Sequence, residues 1–199
     1  MGIRKYIKQY RLENVPDKKG KLVTRAVYKG DWFVYRETGE VLKKARTTVA
    51  VSTAVCIVAM ITALLFFRNK GVTSQYYTLI PFAVCFLPLL YLSIAAYNVM
   101  ITGEGKKVDL EHKDGIHDRI AKSSLGIMIF DGLCIIGIVV SLVLKMTGSD
   151  TRPFTANDAV FSAASAVMFA GALIAFSARK KLDMVKASEM QETTAETTD

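Results

Sequence analysis

Four apolar blocks, residues 47–67, 78–102, 123–144 and 156–178, are each long enough to cross a bilayer as a helix, and they constrain the fold more than any other feature of the chain. At about 1.5 Å of rise per residue, a helix of roughly 20 apolar residues matches a hydrocarbon core of about 30 Å. Lipid offers no partner to a backbone N–H or C=O, so each block must satisfy its own hydrogen bonds, and the helix does so within one segment. The apolar share of the chain, 51%, is gathered into these blocks and not scattered through the short periodic segments of a soluble domain. The expected fold class is therefore all-α integral membrane protein, a four-transmembrane-helix bundle.

The charges orient it. Of the 26 Lys and Arg residues, 22 fall in residues 1–46, in the connector 103–122 and after residue 178, and four fall in the two remaining connectors. Loops rich in Lys and Arg stay in the cytoplasm, which predicts a multi-pass protein of the cell membrane with cytoplasmic N and C termini. The net charge of +8 then reads as a topology signal plus attraction to anionic inner-leaflet lipids, and nucleic-acid binding is not expected. The domain plan has three parts: a cytoplasmic segment 1–46, the transmembrane domain 47–178 and a cytoplasmic tail 179–199, disordered from Ala187 on because it is acidic, Thr-rich and poor in aromatics.

Within 1–46, residues 1–12 place Ile3, Tyr6, Ile7 and Tyr10 at helical spacing among Arg and Lys, the pattern of a short basic amphipathic helix on the inner leaflet. Residues 21–28 and 32–37 are rich in β-branched and aromatic side chains around Gly30-Asp31, which predicts a small β-hairpin. A lone hairpin is marginal in water, so it should dock on something. Trp32, Phe33 and Tyr35 are its adhesive residues, serving either a local core or a partner.

One ionisable residue, Asp131, lies well inside an apolar block. A charge at the bilayer centre costs about 2.5–3.5 kcal/mol on insertion scales, so Asp131 should face other helices or water, as an ion or proton site or as a hydrogen-bonding link between helices. Gly126, Gly132 and Gly137 on the same block permit close helix approach, and Pro81 and Pro88 should bend the second helix. In the fourth block Ala159, Ala163, Gly171 and Ala175 form a small-residue face for packing within the bundle or between protomers, with Ser162, Ala166 and Ala170 on an adjoining stripe. Thr155 and Asp158 read as a capping box at its start.

No catalytic arrangement is visible: there is no nucleophile elbow, zincin helix, paired carboxylate or phosphate loop. His112 and His117, with Glu111, Asp114 and Asp118, sit in a mixed-charge connector whose histidine spacing fits no usual ligand pattern, so neither a metal nor a cofactor is expected. The buried positions of Cys56, Cys85 and Cys134, one in each of the first three blocks, suit packing. The functional expectation is a non-enzymatic accessory or assembly protein, acting as a homo-oligomer or with a membrane protein partner. The alternative is a small oligomeric proton- or cation-coupled transporter or channel using Asp131.

Overall fold

A computed structural model describes residues 9–16, 22–67, 74–148 and 153–188. Four long apolar helices make up most of it: α1 (Gly39–Phe66), a second broken into α2 (Tyr76–Val84) and α3 (Phe86–Ile101), α4 (Leu110–Met146) and α5 (Ala156–Ala178). All four are long and apolar enough to cross a membrane. α1 packs against α5 and α3, and α4 packs against α5, α3 and α2, so each helix touches its sequence neighbours and the first touches the last. Between them lies one core, with Phe82, Phe161, Ile127 and Met168 fully buried and the rings of Phe82 and Phe161 4.8 Å apart.

Two helices begin earlier than the apolar blocks do. α1 starts at Gly39, whose backbone N–H donates to Glu104 Oε1 at 2.7 Å, so a carboxylate from the α3–α4 loop caps the helix that Thr38 leaves uncapped. α4 starts at Leu110, which makes most of the expected solvated connector 103–122 helical. The reason is an apolar stripe that continues below the block: Ile116 and Ile120 are buried at helical spacing with Ser123, Ser124 and Ile127. Asp109 caps this helix by accepting from His112 N at 2.8 Å. α5 begins where expected, with the capping box complete: Asp158 N donates to Thr155 Oγ1 at 3.3 Å and Thr155 N to Asp158 Oδ2 at 2.8 Å.

The second helix is interrupted at Cys85, between the two prolines. Pro81 has no N–H to give the carbonyl of Tyr77, and Pro88 has none for Val84. The freed Tyr77 carbonyl turns onto α4, where it lies 2.9 Å from the position a Cβ on Gly137 would occupy; Thr78 Oγ1 lies at the same distance. Pro88 itself rests on Gly126, its Cβ 3.1 Å from the corresponding point. Two prolines of one helix thus act on two glycines of the next, and at Gly137 a side chain larger than hydrogen would force the backbone apart.

The β structure corrects the expected hairpin. β1 (Tyr10–Pro16) pairs antiparallel with β2 (Leu22–Tyr28), while β3 (Phe33–Tyr35) pairs with β4 (Met184–Lys186), which follows a 3-10 turn (Arg179–Leu182) after α5. Residues 22–28 therefore take the preceding strand as partner, through a seven-residue register from Tyr10↔Tyr28 to Pro16↔Leu22. β3 is too short to offer that ladder, and its edges are taken elsewhere: Phe33 exchanges both backbone hydrogen bonds with Val108, at 2.8 and 2.9 Å, while Arg36 N donates to Asp183 O and Ala187 N to Trp32 O, each at 2.9 Å. The chain before α1, the α3–α4 loop and the chain after α5 are clasped together at one end of the bundle, the end that carries the basic segments. The expected amphipathic helix falls partly on β1 and otherwise outside the described residues, as does most of the tail.

Gly137→Ala is expected to lower stability by about 1–3 kcal/mol, the cost of overpacking a tight contact, seen as an earlier unfolding midpoint in detergent. Gly103→Ala, where a Cβ would meet nothing within 4 Å, leaves that midpoint unchanged.

Candidate functional site

Asp131 sits on the inward face of α4 with no exposed surface. Its Oδ1 accepts a hydrogen bond from Ser165 Oγ of α5, and Ser165 Oγ also lies 3.9 Å from Cys134 Sγ, one turn along α4. Asp131 Oδ2 is buried and has no hydrogen-bond partner among the described residues. Cys56, Cys85 and Cys134 are each free, buried thiols. Chemically the arrangement is a carboxyl–hydroxyl link between two helices with one oxygen left open.

Ser165 is the residue the sequence reasoning missed. Its signal is its place on the buried stripe of α5, Phe161, Ala164, Ser165, Met168, Ala172 and Ala175, which recurs every three to four residues; beyond the capping Asp158 it is the polar member of that inward row. The small-residue face named from sequence divides on the same geometry. Gly171 and Ala175 are buried, Gly171 against α1 so closely that a Cβ would meet Cys56 Sγ at 2.6 Å. Ala159 and Ala163 are exposed, as are Ala166 and Ala170. The difference follows from the helical period: a row of residues four apart drifts about 40° per step, so it starts outside the packed face at 159 and 163 and turns onto it by 171.

At the basic end, Phe33 and Tyr35 lie inside the core, the first of the two roles read for them, and so do not offer a partner-binding surface. Phe33 is covered by Lys113, whose Nζ is 4.3 Å from the ring centroid. Burial pushes the Tyr35 hydroxyl up to about 12. Trp32 alone of the three keeps exposed surface, 44%, with its ring edge-on to Tyr28 at 5.0 Å. The β1–β2 hairpin is tied to the bundle at its open end, where Tyr10 Oη donates to Asp109 Oδ2 at 2.9 Å and Leu110 N donates to Tyr28 Oη at 3.2 Å. Beyond that point it stands away from the helices, with Leu12 and Leu22 exposed.

The histidines do not converge. His112 reaches Thr102 Oγ1 at 3.5 Å, and among the described residues no three His, Cys, Asp or Glu side chains gather as metal ligands.

The class that fold and site define is a four-helix bundle of membrane-spanning length with a small β clasp at one end. Comparison with protein families, with curated proteins and with solved structures finds no match for this chain.

Ser165→Ala is expected to lower stability by about 0.6–1.7 kcal/mol, the range for interhelical hydrogen bonds in membrane bundles. The loss should vanish in an Asp131→Ala background if the two side chains act as one unit, which a double-mutant cycle in detergent measures. A second expectation concerns pH. The hydrogen bond to the Asp109 carboxylate pushes Tyr10 from 10.0 up to about 12, which stabilises the protonated hydroxyl. That contribution is present below about pH 10 and is lost as pH rises through about 12. Tyrosinate absorbance should show a late phase to which Tyr10 and Tyr35 both contribute, and Tyr10→Phe should shrink it to the Tyr35 share.

Proposed function

We propose that the chain is a multi-pass protein of the cell membrane with both termini in the cytoplasm, and that it serves as a non-enzymatic adaptor holding a partner protein at the inner membrane surface. Membrane insertion is supported by the outward faces of the four helices, where Val58, Leu87, Ile136 and Leu173 are each about half exposed or more, an apolar exterior that water would not tolerate and lipid would. The orientation is supported by the distribution of Lys and Arg, and the three basic segments meet at one end of the bundle.

The observation that carries the adaptor reading is the β1–β2 hairpin. Its pairing places Tyr10, Leu12, Asn14 and Pro16 on one face with Tyr28, Ala26, Thr24 and Leu22. Leu12 and Leu22 on that face are 76% and 72% exposed. A two-stranded ribbon is marginal alone, and a partner that buries these leucines supplies the missing layer. With Trp32 exposed at the base of the same hairpin, the surface has the aromatic and aliphatic anchors of a docking site.

A second reading, a proton- or cation-coupled transporter, is supported by one observation, the open Oδ2 of buried Asp131. Under it, Asp131→Asn abolishes ion flux in proteoliposomes while the protein still assembles.

The adaptor reading is tested by affinity purification in mild detergent. The full-length protein is expected to bring down a stoichiometric companion that Leu12→Glu/Leu22→Glu loses, with the variant still in the membrane fraction and its thermal midpoint unchanged. A wild-type protein that purifies alone, and whose cellular role survives removal of residues 9–28, overturns it.

A further inference from the structure

Along the outward seam between α1 and α5 runs an open groove of about 790 Å³ that begins at Lys43 and Lys44 and continues between Val51, Val55, Ala170 and Gly171. It opens at Val51, Val55 and Val167 into a second groove of about 480 Å³, whose walls are almost wholly apolar. The groove exists because α5 carries only Ala170 and Gly171 where a larger side chain would meet α1, and Gly171 brings the helices close enough that the surface above them is a trough. From Lys44 to Val55 it descends about 16 Å along α1, the depth of one leaflet of a roughly 30 Å hydrocarbon core.

Its two ends differ in chemistry. The mouth holds two cations and one acid, Glu40, and neither lysine has an ion-pair partner among the described residues. Thr48 at the mouth is already engaged, its Oγ1 donating to Lys44 O at 2.8 Å. A lysine placed at the end of a spanning helix directs its ammonium to the headgroup region. An elongated apolar trough capped by net positive charge at that depth is complementary to one kind of molecule.

We propose that the α1–α5 groove is a binding site for an anionic glycerophospholipid of the adjoining leaflet, with its phosphate on Lys43 and Lys44 and an acyl chain along the trough. The site rests on the membrane-spanning reading but not on the adaptor reading, since it lies on the side of the bundle and the hairpin on its end.

The test uses the full-length protein in detergent micelles supplied with phosphatidylglycerol or phosphatidylcholine at equal mole fraction, with retained lipid read by native mass spectrometry. The wild type is expected to retain phosphatidylglycerol preferentially. Lys43→Gln/Lys44→Gln should lower that preference about fivefold for each lysine removed, and Ala170→Trp, on an exposed position that fills the trough, should lower retention of both lipids. If the double lysine variant does not fold, the wild type is titrated with salt: preference that falls with ionic strength supports the site, and preference indifferent to it overturns the site. Equal retention of the two lipids, or unchanged preference in the lysine variant, overturns the proposal while leaving the membrane reading intact. A wild-type dimer that Ala170→Trp dissociates overturns it in favour of a second copy of this chain in the groove. A chain soluble without detergent that retains neither lipid removes the membrane reading itself.

Discussion

The contact between the broken second helix and α4 governs how the rest of the bundle fits together. Where the outer face of a helix is as apolar as its inner face, hydrophobic burial alone does not choose which side packs inward, and close contacts must choose it. Here the choice is made by Gly126 beneath Pro88 and Gly137 beneath the Tyr77 carbonyl. The proline that costs the second helix a hydrogen bond also supplies the carbonyl that α4 receives, so the break and the close approach are one event. Weak Cα–H to carbonyl contacts of this sort add modestly to each such approach. Tyr77 adds a further tie, its hydroxyl 2.9 Å from Ser141 Oγ on α4.

With that rotation of α4 chosen, Asp131 turns to the interior and not to the lipid side. The same rotation points it at α5, where Ser165 occupies the inward row, and it brings Cys134 to the same place. An acid that would be costly on the outside becomes a link between two helices. Its Oδ2, like Thr78 Oγ1 and Ser124 Oγ, is buried without a hydrogen-bond partner among the described residues.

The clasp at the basic end works on a different principle. β3 is three residues long, too short to hold by itself, yet Val108 lies on one edge and β4 on the other. Its side chains Phe33 and Tyr35 close the bottom of the helix core. The clasp joins the chain entering α1 to the chain leaving α5, which are the two helices in most extensive contact. The seam that carries the proposed lipid groove is therefore held at its basic end by backbone hydrogen bonds and along its length by Gly171.

Local physics was enough to read some of this from residues alone. The number of apolar helices, the Thr155–Asp158 cap and a break in the second helix each follow from a short stretch of side chains, because burial, capping and proline geometry act within a few residues. Asp131 was legible as an anomaly for the same reason, but its partner Ser165 was not, since a serine on an alanine-rich helix shows its role only once the inward row is known. The strand pairing was decided by tertiary structure alone: β3 finds β4 across almost the whole chain, and residues 22–28 prefer the strand before them to the one after. Likewise Gly171 and Ala175 became contacts while Ala159 and Ala163 stayed outside, although composition makes the four alike. Such outcomes depend on which helix faces which, and that is settled by the joint fit of distant surfaces, which no window of neighbouring residues contains.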